Sequence, residues 1–147
     1  MVTMPKSQLD QLQPGRIGTA ALTVGEEHTA EAWGSGRAPV LGTPMLVALM
    51  EAAAVDCIDT ALTDGQESLG VKIDIEHIAA TPLGLEVTAT AELTEIDGRK
   101  LHFRVEARDA REVVGRGRHT RILVDAARFR AKVQAKLEPN LQSKLQE

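Results

Sequence analysis

The stretch Thr43–Ile58, TPMLVALMEAAAVDCI, decides the fold of this chain. Thr43 is a residue type that favours helix N-caps, and Pro44 suits the first helical position, where a missing N–H costs nothing. From Met45 to Val55 every residue is apolar except Glu51. The stretch therefore predicts a long, largely buried helix that begins at Thr43 and ends near Leu62, before the turn sequence TDGQ.

Strands with one apolar face fill most of the remaining sequence. Apolar residues alternate with polar ones in SLGVKIDIEHIAATP, LEVTATAEL, DGRKLHFRVEARD and EVVGRGRHTRILV. Arg16–Trp33 predicts two further strands broken near Gly25–Glu27, and Asp97-Gly98 predicts a hairpin turn. The segment DAARFRAKVQAKL predicts a second, C-terminal helix.

The arrangement of these elements follows from their apolar faces. Antiparallel strands with one apolar face need a cover on that face, and the long helix is the one element apolar enough to supply it. The sequence therefore predicts an α+β protein in which a curved antiparallel sheet wraps one long central helix, the hotdog arrangement. Because such a half-sheet leaves an apolar edge, we also expect a homodimer.

Composition bounds the domain count and excludes several classes of function. The 147 residues suit one domain over 1–147, with a polar lead-in over 1–15 and a C-terminal helix and tail over 126–147. A formal net charge of −4 and an aromatic content of 2% argue against a nucleic-acid partner. The sequence shows no signal-peptide pattern, no apolar run long enough to cross a membrane and a single cysteine, so we expect a cytoplasmic protein with no membrane partner. Metal-ligating residues do not cluster at ligand spacing, so no metal is predicted.

Glu51 is the one charged residue inside the apolar part of the helix. One interpretation is a carboxylate at the helix edge that reaches solvent. The other is a functional carboxylate, because few faces of this helix lead to water and charged groups are rarely buried without a partner or a task. Partial burial raises the pKa of a carboxylate and makes it a plausible base or nucleophile near neutral pH.

Two more residues are candidates for a site. Thr43 either caps the helix or presents its hydroxyl to a ligand at the positive helix end. Strand alternation places His77 on the helix side with Val71, Ile73 and Ile75, where it is either a hydrogen-bonded core residue or a catalytic one. His28, His102 and His119 lack a comparable setting. Cys57 is interpreted as a small core residue, and Asp56 and Asp59 are expected to face solvent.

Several segments together resemble the fluoroacetyl-CoA thioesterase family of hotdog proteins. The resemblance runs from about Pro39 to Val133 and rests on TPMLVALMEAA, SLGVKIDIEHIAATPLGLEVTATAEL, DGRKLHFRVEARD and RFRAKV. It implies an enzyme that hydrolyses acyl-CoA thioesters, with Thr43, Glu51 and His77 as the catalytic set. It also implies that the backbone of Gly70 helps to position the thioester, and that no cofactor is needed beyond the coenzyme A of the substrate.

One part of the sequence departs from that family. The fluoroacetyl-specific member has phenylalanines in the loop before the helix, whereas GSGRAPVLG, Gly34–Gly42, contains Arg37 and no aromatic residue. The acyl group of the substrate therefore stays open.

Either Thr43 attacks with His77 as base, or Glu51 activates water or attacks directly. Thr43 and Glu51 lie about 12 Å apart along a regular helix, so either His77 bridges them or a dimer partner supplies one of them. A non-catalytic acyl-CoA sensor and a hotdog hydratase are the alternative functions.

Overall fold

The computed structural model describes residues 12–139 and shows one antiparallel sheet wrapped around a central helix. In chain order the elements are β1 (Ile17–Thr23), α1 (Thr43–Ile58), β2 (Gln66–His77), β3 (Glu86–Asp97), β4 (Lys100–Arg108), β5 (Val113–Asp125) and α2 (Ala126–Gln134). The strand order is β1-β3-β4-β5-β2, and each neighbouring pair is antiparallel. The predicted hotdog arrangement is confirmed, with β1 and β2 as the two edges of the sheet.

The core lies between α1 and the concave face of the sheet. The predicted alternation is confirmed, because every second residue is buried from Val87 to Leu93 in β3 and from Leu101 to Ala107 in β4: Val87, Ala89, Ala91, Leu93, Leu101, Phe103, Val105 and Ala107. These pack with the buried side of α1: Leu46, Leu49, Met50, Ala53, Ala54, Cys57 and Ile58. Gly18 lets β1 lie directly against the backbone of α1, since a Cβ at position 18 would lie 2.2 Å from the backbone N of Cys57. Small residues therefore let the sheet close tightly on the helix.

The segment before α1 differs from the prediction. Arg16–Trp33 contains one strand, β1, and the second predicted strand is wrong. Glu26–His28 forms a single 3-10 turn, and Thr29 makes only an isolated bridge with Leu41. Local side-chain bonds explain the difference: His28 Nδ1 accepts from the Gly25 N–H, and the Thr29 hydroxyl donates to the Glu26 carbonyl. Such bonds compete with strand pairing.

Both ends of α1 also differ from the prediction. The helix ends at Ile58, followed by a 3-10 turn at Asp59–Ala61 rather than a regular helix to Leu62. At the start, the N-cap is Gly42 and not Thr43, and no side chain caps the helix. Gly42 is buried against the backbone of Ala30, where a Cβ would lie 3.0 Å from the Ala30 Cα. Thr43 is consequently the first helical residue, and its hydroxyl has no capping role.

Several smaller predictions are decided by the same structure. The hairpin turn at Asp97-Gly98 is confirmed, with Gly98 at a φ of 60°. Cys57 is a buried free thiol, and burial raises its pKa. Asp56 and Asp59 are exposed, as expected.

Val71 is 56% exposed and does not share the face of Ile73 and Ile75, because the register of β2 shifts between Gly70 and Lys72.

The C-terminal helix is confirmed as α2, capped by the Asp125 side chain and continued by a 3-10 turn at Ala135–Leu137. Most of the predicted lead-in and most of the predicted tail lie outside the described residues. Across residues 12–139, no helix is long and apolar enough to cross a membrane.

Candidate active site

A threonine at the start of α1 and a histidine at the end of β2 form a hydrogen-bonded pair. Thr43 Oγ1 and His77 Nδ1 are 2.8 Å apart. Because Gly42 begins the helix without help from the Thr43 side chain, the hydroxyl is available to the imidazole. His77 is the last residue of β2, on the half-buried side that also carries Ile73 and Ile75. The contact needed for attack by Thr43 with His77 as base is therefore present within one chain.

The surroundings of the His77 ring favour its neutral form. Burial lowers the pKa of His77. Its Nε2 atom is buried and has no hydrogen-bond partner among the described residues. A neutral imidazole can accept the Thr43 proton at Nδ1, in which case Nε2 carries the ring hydrogen. The ring is thus suited to act as a base, and its Nε2–H still needs an acceptor.

Glu51 lies two turns further along α1 and faces β5. Its Oε2 is 3.2 Å from NH1 of Arg121 and 3.9 Å from Nε2 of His119. The Glu51 side chain is 41% exposed in this chain. Partial burial is therefore as predicted, but the expected apolar surroundings are wrong: the carboxylate is paired with a guanidinium. Glu51 has apolar neighbours along the sequence, but in the fold its carboxylate contacts a charged side chain.

Arg121 and His119 form a buried polar network behind Glu51. They are 6% and 2% exposed. Arg121 donates from Nε to Ser68 Oγ at 2.8 Å, from NH2 to the Ser68 carbonyl at 3.2 Å and from NH1 to His119 Nε2 at 3.1 Å. His119 Nδ1 lies 2.8 Å from the Lys72 carbonyl. Burial, reinforced by the Arg121 charge, lowers the pKa of His119. His119 therefore lies in a buried, hydrogen-bonded setting that its sequence neighbours do not indicate.

Sequence reasoning missed Arg121 and His119, although one signal points to them. In the β4–β5 pair, Leu101 lies opposite Arg121 and Phe103 lies opposite His119. Residues that lie directly opposite each other on antiparallel strands point to the same face. Leu101 and Phe103 belong to the apolar face of β4, so their partners must also point inward. The charge-rich sequence RGRHTR hides this alternation, because buried arginines are rare.

Gly70 faces the Glu51 carboxylate from β2. A Cβ at this position would lie 2.3 Å from Glu51 Oε2, 3.2 Å from His119 Cε1 and 3.3 Å from Arg121 NH1. Any side chain at position 70 would therefore displace the carboxylate. The glycine that the family resemblance singles out therefore lies directly beside the Glu51 carboxylate.

The candidate residues thus form two groups within one chain. Thr43 and His77 make one group, and Glu51 and Gly70 make the other with Arg121 and His119. No hydrogen bond or ion pair joins the two groups anywhere in residues 12–139. The alternative in which His77 bridges Thr43 and Glu51 is therefore wrong for a single chain.

Known proteins share this fold and much of this sequence. Residues 24–127 match the family described as FlK, fluoroacetyl-CoA-specific thioesterase. A fluoroacetyl-CoA thioesterase from Streptantibioticus cattleyicolor is 44% identical over 97 residues, which cover 66% of this chain and 70% of that protein. The solved structure of the fluoroacetyl-CoA thioesterase FlK is similar with a TM-score of 0.81 at 36% identity, over 88% of this chain and 100% of that one. A threonine-to-serine variant of FlK in complex with acetyl-CoA gives 0.80 at 34% identity, over 86% and 100%.

The fold and these similarities together define the class of this protein as a hotdog-fold thioesterase. Within that class, the chain belongs to the fluoroacetyl-CoA-specific thioesterase family.

Proposed function

We propose that this enzyme hydrolyses an acyl-CoA thioester to the free acid and coenzyme A, with Thr43, Glu51 and His77 as catalytic residues and Gly70 as a substrate-binding residue. The observation that supports it most directly is the 2.8 Å contact between Thr43 Oγ1 and His77 Nδ1. Coenzyme A is part of the substrate, and the proposed chemistry uses no further cofactor. The proposed compartment is the cytoplasm, which suits the free buried thiol of Cys57.

In the first route, Thr43 is the nucleophile. His77 Nδ1 takes the hydroxyl proton while Oγ1 bonds to the thioester carbon, and the carbonyl oxygen becomes negative. The C–S bond then breaks, the coenzyme A sulfur receives the proton from His77, and water hydrolyses the threonyl ester. Pro44 has no N–H, and the N–H groups of Met45 and Leu46 donate to the Gly42 carbonyl. The Thr43 N–H is thus the donor that the first turn offers to the developing oxyanion.

In the second route, Glu51 carries the chemistry. In one form its carboxylate takes a proton from water that attacks the thioester carbon, and the C–S bond breaks as the coenzyme A sulfur takes up that proton. In the other form the carboxylate bonds to that carbon itself, the C–S bond breaks to release the thiolate, and water hydrolyses the resulting anhydride. Gly70 lets the backbone of β2 lie against the Glu51 carboxylate, since a Cβ there would lie 2.3 Å from Oε2, and this closeness supports a thioester positioned by the Gly70 backbone beside Glu51. Both routes end with the acid and the free thiol, so thiol release measures either one.

We propose further that the working enzyme is a homodimer whose sites combine both subunits. β2 is a 12-residue edge strand of the described sheet, and strand edges of this length pair readily with another strand. Antiparallel pairing of two β2 edges brings the His77 end of one strand toward the Gln66 end of the other. Thr43 and His77 would then approach Glu51 of the partner subunit. The carboxylate of that residue could accept a hydrogen bond from His77 Nε2, which has no partner among the described residues.

A panel of acyl-CoA thioesters tests the proposed function. Purified protein is mixed with acetyl-, fluoroacetyl-, longer acyl- and enoyl-CoA, and free thiol is followed with a chromogenic thiol reagent. Turnover of at least one substrate by the wild type supports a thioesterase if it is lost in the Thr43→Ala variant and also in the His77→Ala variant. Saturable binding without thiol release would indicate an acyl-CoA sensor. Loss of the enoyl absorbance without thiol release would indicate a hydratase.

A further inference from the structure

Thr81 is a fully buried polar residue that the proposed chemistry does not use. Its side chain is 0% exposed, and its hydroxyl donates to Oδ2 of Asp109 at 3.0 Å. We propose that Thr81 and Asp109 are positioning residues, which hold the start of α1 against the end of β2. Their effect on the reaction passes through the contact between Thr43 and His77, so this inference rests on the proposed function.

The backbone of Thr81 holds the loop that leads into α1. The Leu41 N–H donates to the Thr81 carbonyl at 2.9 Å, and Val40 forms an isolated bridge with Pro82. Leu41 is 1% exposed and lies two residues before Thr43. Because this loop is bonded to the Thr81 backbone, the position of Thr81 sets where the first residue of α1 lies.

The same short segment is attached to His77. Thr81 follows His77 by four residues, and the N–H groups of the two residues directly after His77 donate to the Val114 carbonyl at 2.8 and 3.3 Å. These two bonds fix the end of β2 to β5. Residues 77–81 thus hold the imidazole at one end and the support of Thr43 at the other. A shift of this segment would therefore change the distance between the Thr43 hydroxyl and the imidazole.

Asp109 anchors the segment from the turn between β4 and β5. Its Oδ1 accepts from the backbone N–H groups of Arg111 at 2.8 Å and Glu112 at 3.0 Å, which fixes the carboxylate in its own turn. Its Oδ2 accepts from Thr81. A hydrogen bond from a hydroxyl to a carboxylate is charge-assisted and stronger than one between neutral groups. Loss of the Thr81 hydroxyl would remove this anchor and keep the attachment at Val114.

A double-mutant cycle tests this assignment. Thr81→Val removes the hydroxyl and keeps a branched side chain. We expect its kcat to fall about 10- to 100-fold, the scale for misplacing a reacting group by about 1 Å, with KM changed less than about threefold. Thr81→Ser keeps the hydroxyl and should restore most of the rate. In a Thr43→Ala background, measured under single-turnover conditions, Thr81→Val should have no further effect. The matched control is Thr94→Val, which removes a hydroxyl bond to the His102 carbonyl and should leave both constants unchanged.

A spectroscopic readout tests the same inference without turnover. The tautomer of an imidazole depends on the hydrogen bonds at its two nitrogens, so the nitrogen chemical shifts of the His77 ring report its contact with Thr43. In protein labelled with ¹⁵N-histidine, the His77 signals are assigned by their loss in His77→Ala. Thr81→Val should move these signals toward their positions in Thr43→Ala, whereas Thr94→Val should leave them in place.

The outcomes separate this inference from the proposed function. Wild-type protein without turnover would overturn the proposed function, and the His77 signals would still decide the positioning role. Unchanged His77 signals in Thr81→Val, or a kcat effect that persists in the Thr43→Ala background, would overturn that role.

A second variant replaces Thr81→Val if that protein does not fold. Asp109→Asn keeps an amide oxygen for the turn N–H groups and removes the charged acceptor of the Thr81 hydroxyl. It should lower kcat about 3- to 10-fold and move the His77 signals in the same direction. No change in either quantity would contradict the inference.

Discussion

Thr43 and His77 are 34 residues apart in the sequence, yet Thr43 Oγ1 and His77 Nδ1 are 2.8 Å apart in the structure. The contact joins the first residue of α1 to the last residue of β2. It brings a hydroxyl and an imidazole together at the ends of two regular elements, so that neither residue lies in a loop.

His77→Ala should therefore reduce turnover by about 100-fold or more, the usual scale for loss of a general base. The fold should survive, since His77 ends a strand and lies outside the apolar core. In the wild type, burial lowers the pKa of His77, so the base stays neutral below the ordinary histidine range and the rate should fall only at more acid pH. The measurement is a pH–rate profile of both proteins with circular dichroism as the fold control. Unchanged turnover in the variant would make His77 a structural residue.

Glu51→Gln should lower turnover steeply while acyl-CoA binding is kept. A carboxylate in apolar surroundings would predict a melting temperature equal to or above the wild type. The pair with Arg121 reverses that expectation, because the variant leaves a buried guanidinium with a neutral partner. We expect a small decrease in melting temperature, which differential scanning fluorimetry would detect. A large decrease, with activity lost only in proportion to unfolding, would show that Glu51 serves the fold alone.

Mixed dimers should reveal whether each site combines two subunits. Thr43→Ala and Glu51→Gln chains are inactive separately, but a mixed dimer of the two retains one site with both residues intact. Random pairing of equal amounts should restore about a quarter of wild-type activity by the statistics of a two-fold dimer. The readout is thiol release after the two purified proteins are unfolded and refolded together. No recovery, in a sample shown by ultracentrifugation to be dimeric, would place both residues of a site in one chain, and a monomeric mass would exclude the dimer.

Fluoroacetyl-CoA and acetyl-CoA should be hydrolysed with kcat/KM values within about tenfold of each other, since the loop before α1 has no aromatic residue to close over the acyl group. Gly34–Gly42 carries no aromatic residue, and Arg37 is exposed. Trp33 directly precedes this loop in the sequence; it is 56% exposed and donates its indole N–H to the Glu27 carbonyl. Competition between the two substrates in one reaction gives the ratio directly. A strong preference for the fluorinated substrate that Trp33→Ala removes would assign the gate to Trp33.

Stability should decrease as the pH falls from about 7.5 to 5.5. Burial lowers the pKa of both His77 and His119 in the folded state, whereas the unfolded chain titrates near 6.5. Below that value the unfolded state binds more protons than the folded state, so the free energy of unfolding decreases as the pH is lowered. Urea unfolding at several pH values measures the slope. His119→Gln should flatten it, with His102→Gln as the control, and an equal slope in both variants would exclude a contribution from His119.

How much of this molecule could be predicted from its sequence depends on what fixes each part. Apolar periodicity places α1 and the inward faces of β3 and β4, because burial demands that pattern. It fails after Gly25, where the side chains of His28 and Thr29 bond locally and replace a strand. It also fails at Arg121 and His119, since their inward orientation depends on register across β4 and β5 and not on their own hydropathy. Thr43, Glu51 and His77 are candidates from their own sequence setting, whereas their grouping as a catalytic set and the role of Gly70 come from family resemblance. All of these roles remain predictions.

The cap at Gly42 has a consequence for how position 43 can evolve. Since the helix begins without the Thr43 hydroxyl, that hydroxyl is not needed to start α1, and its one described side-chain contact is with His77. A library of all side chains at position 43 should therefore give proteins of similar stability and very different activity. Activity would then be the property that distinguishes the variants at position 43 from one another.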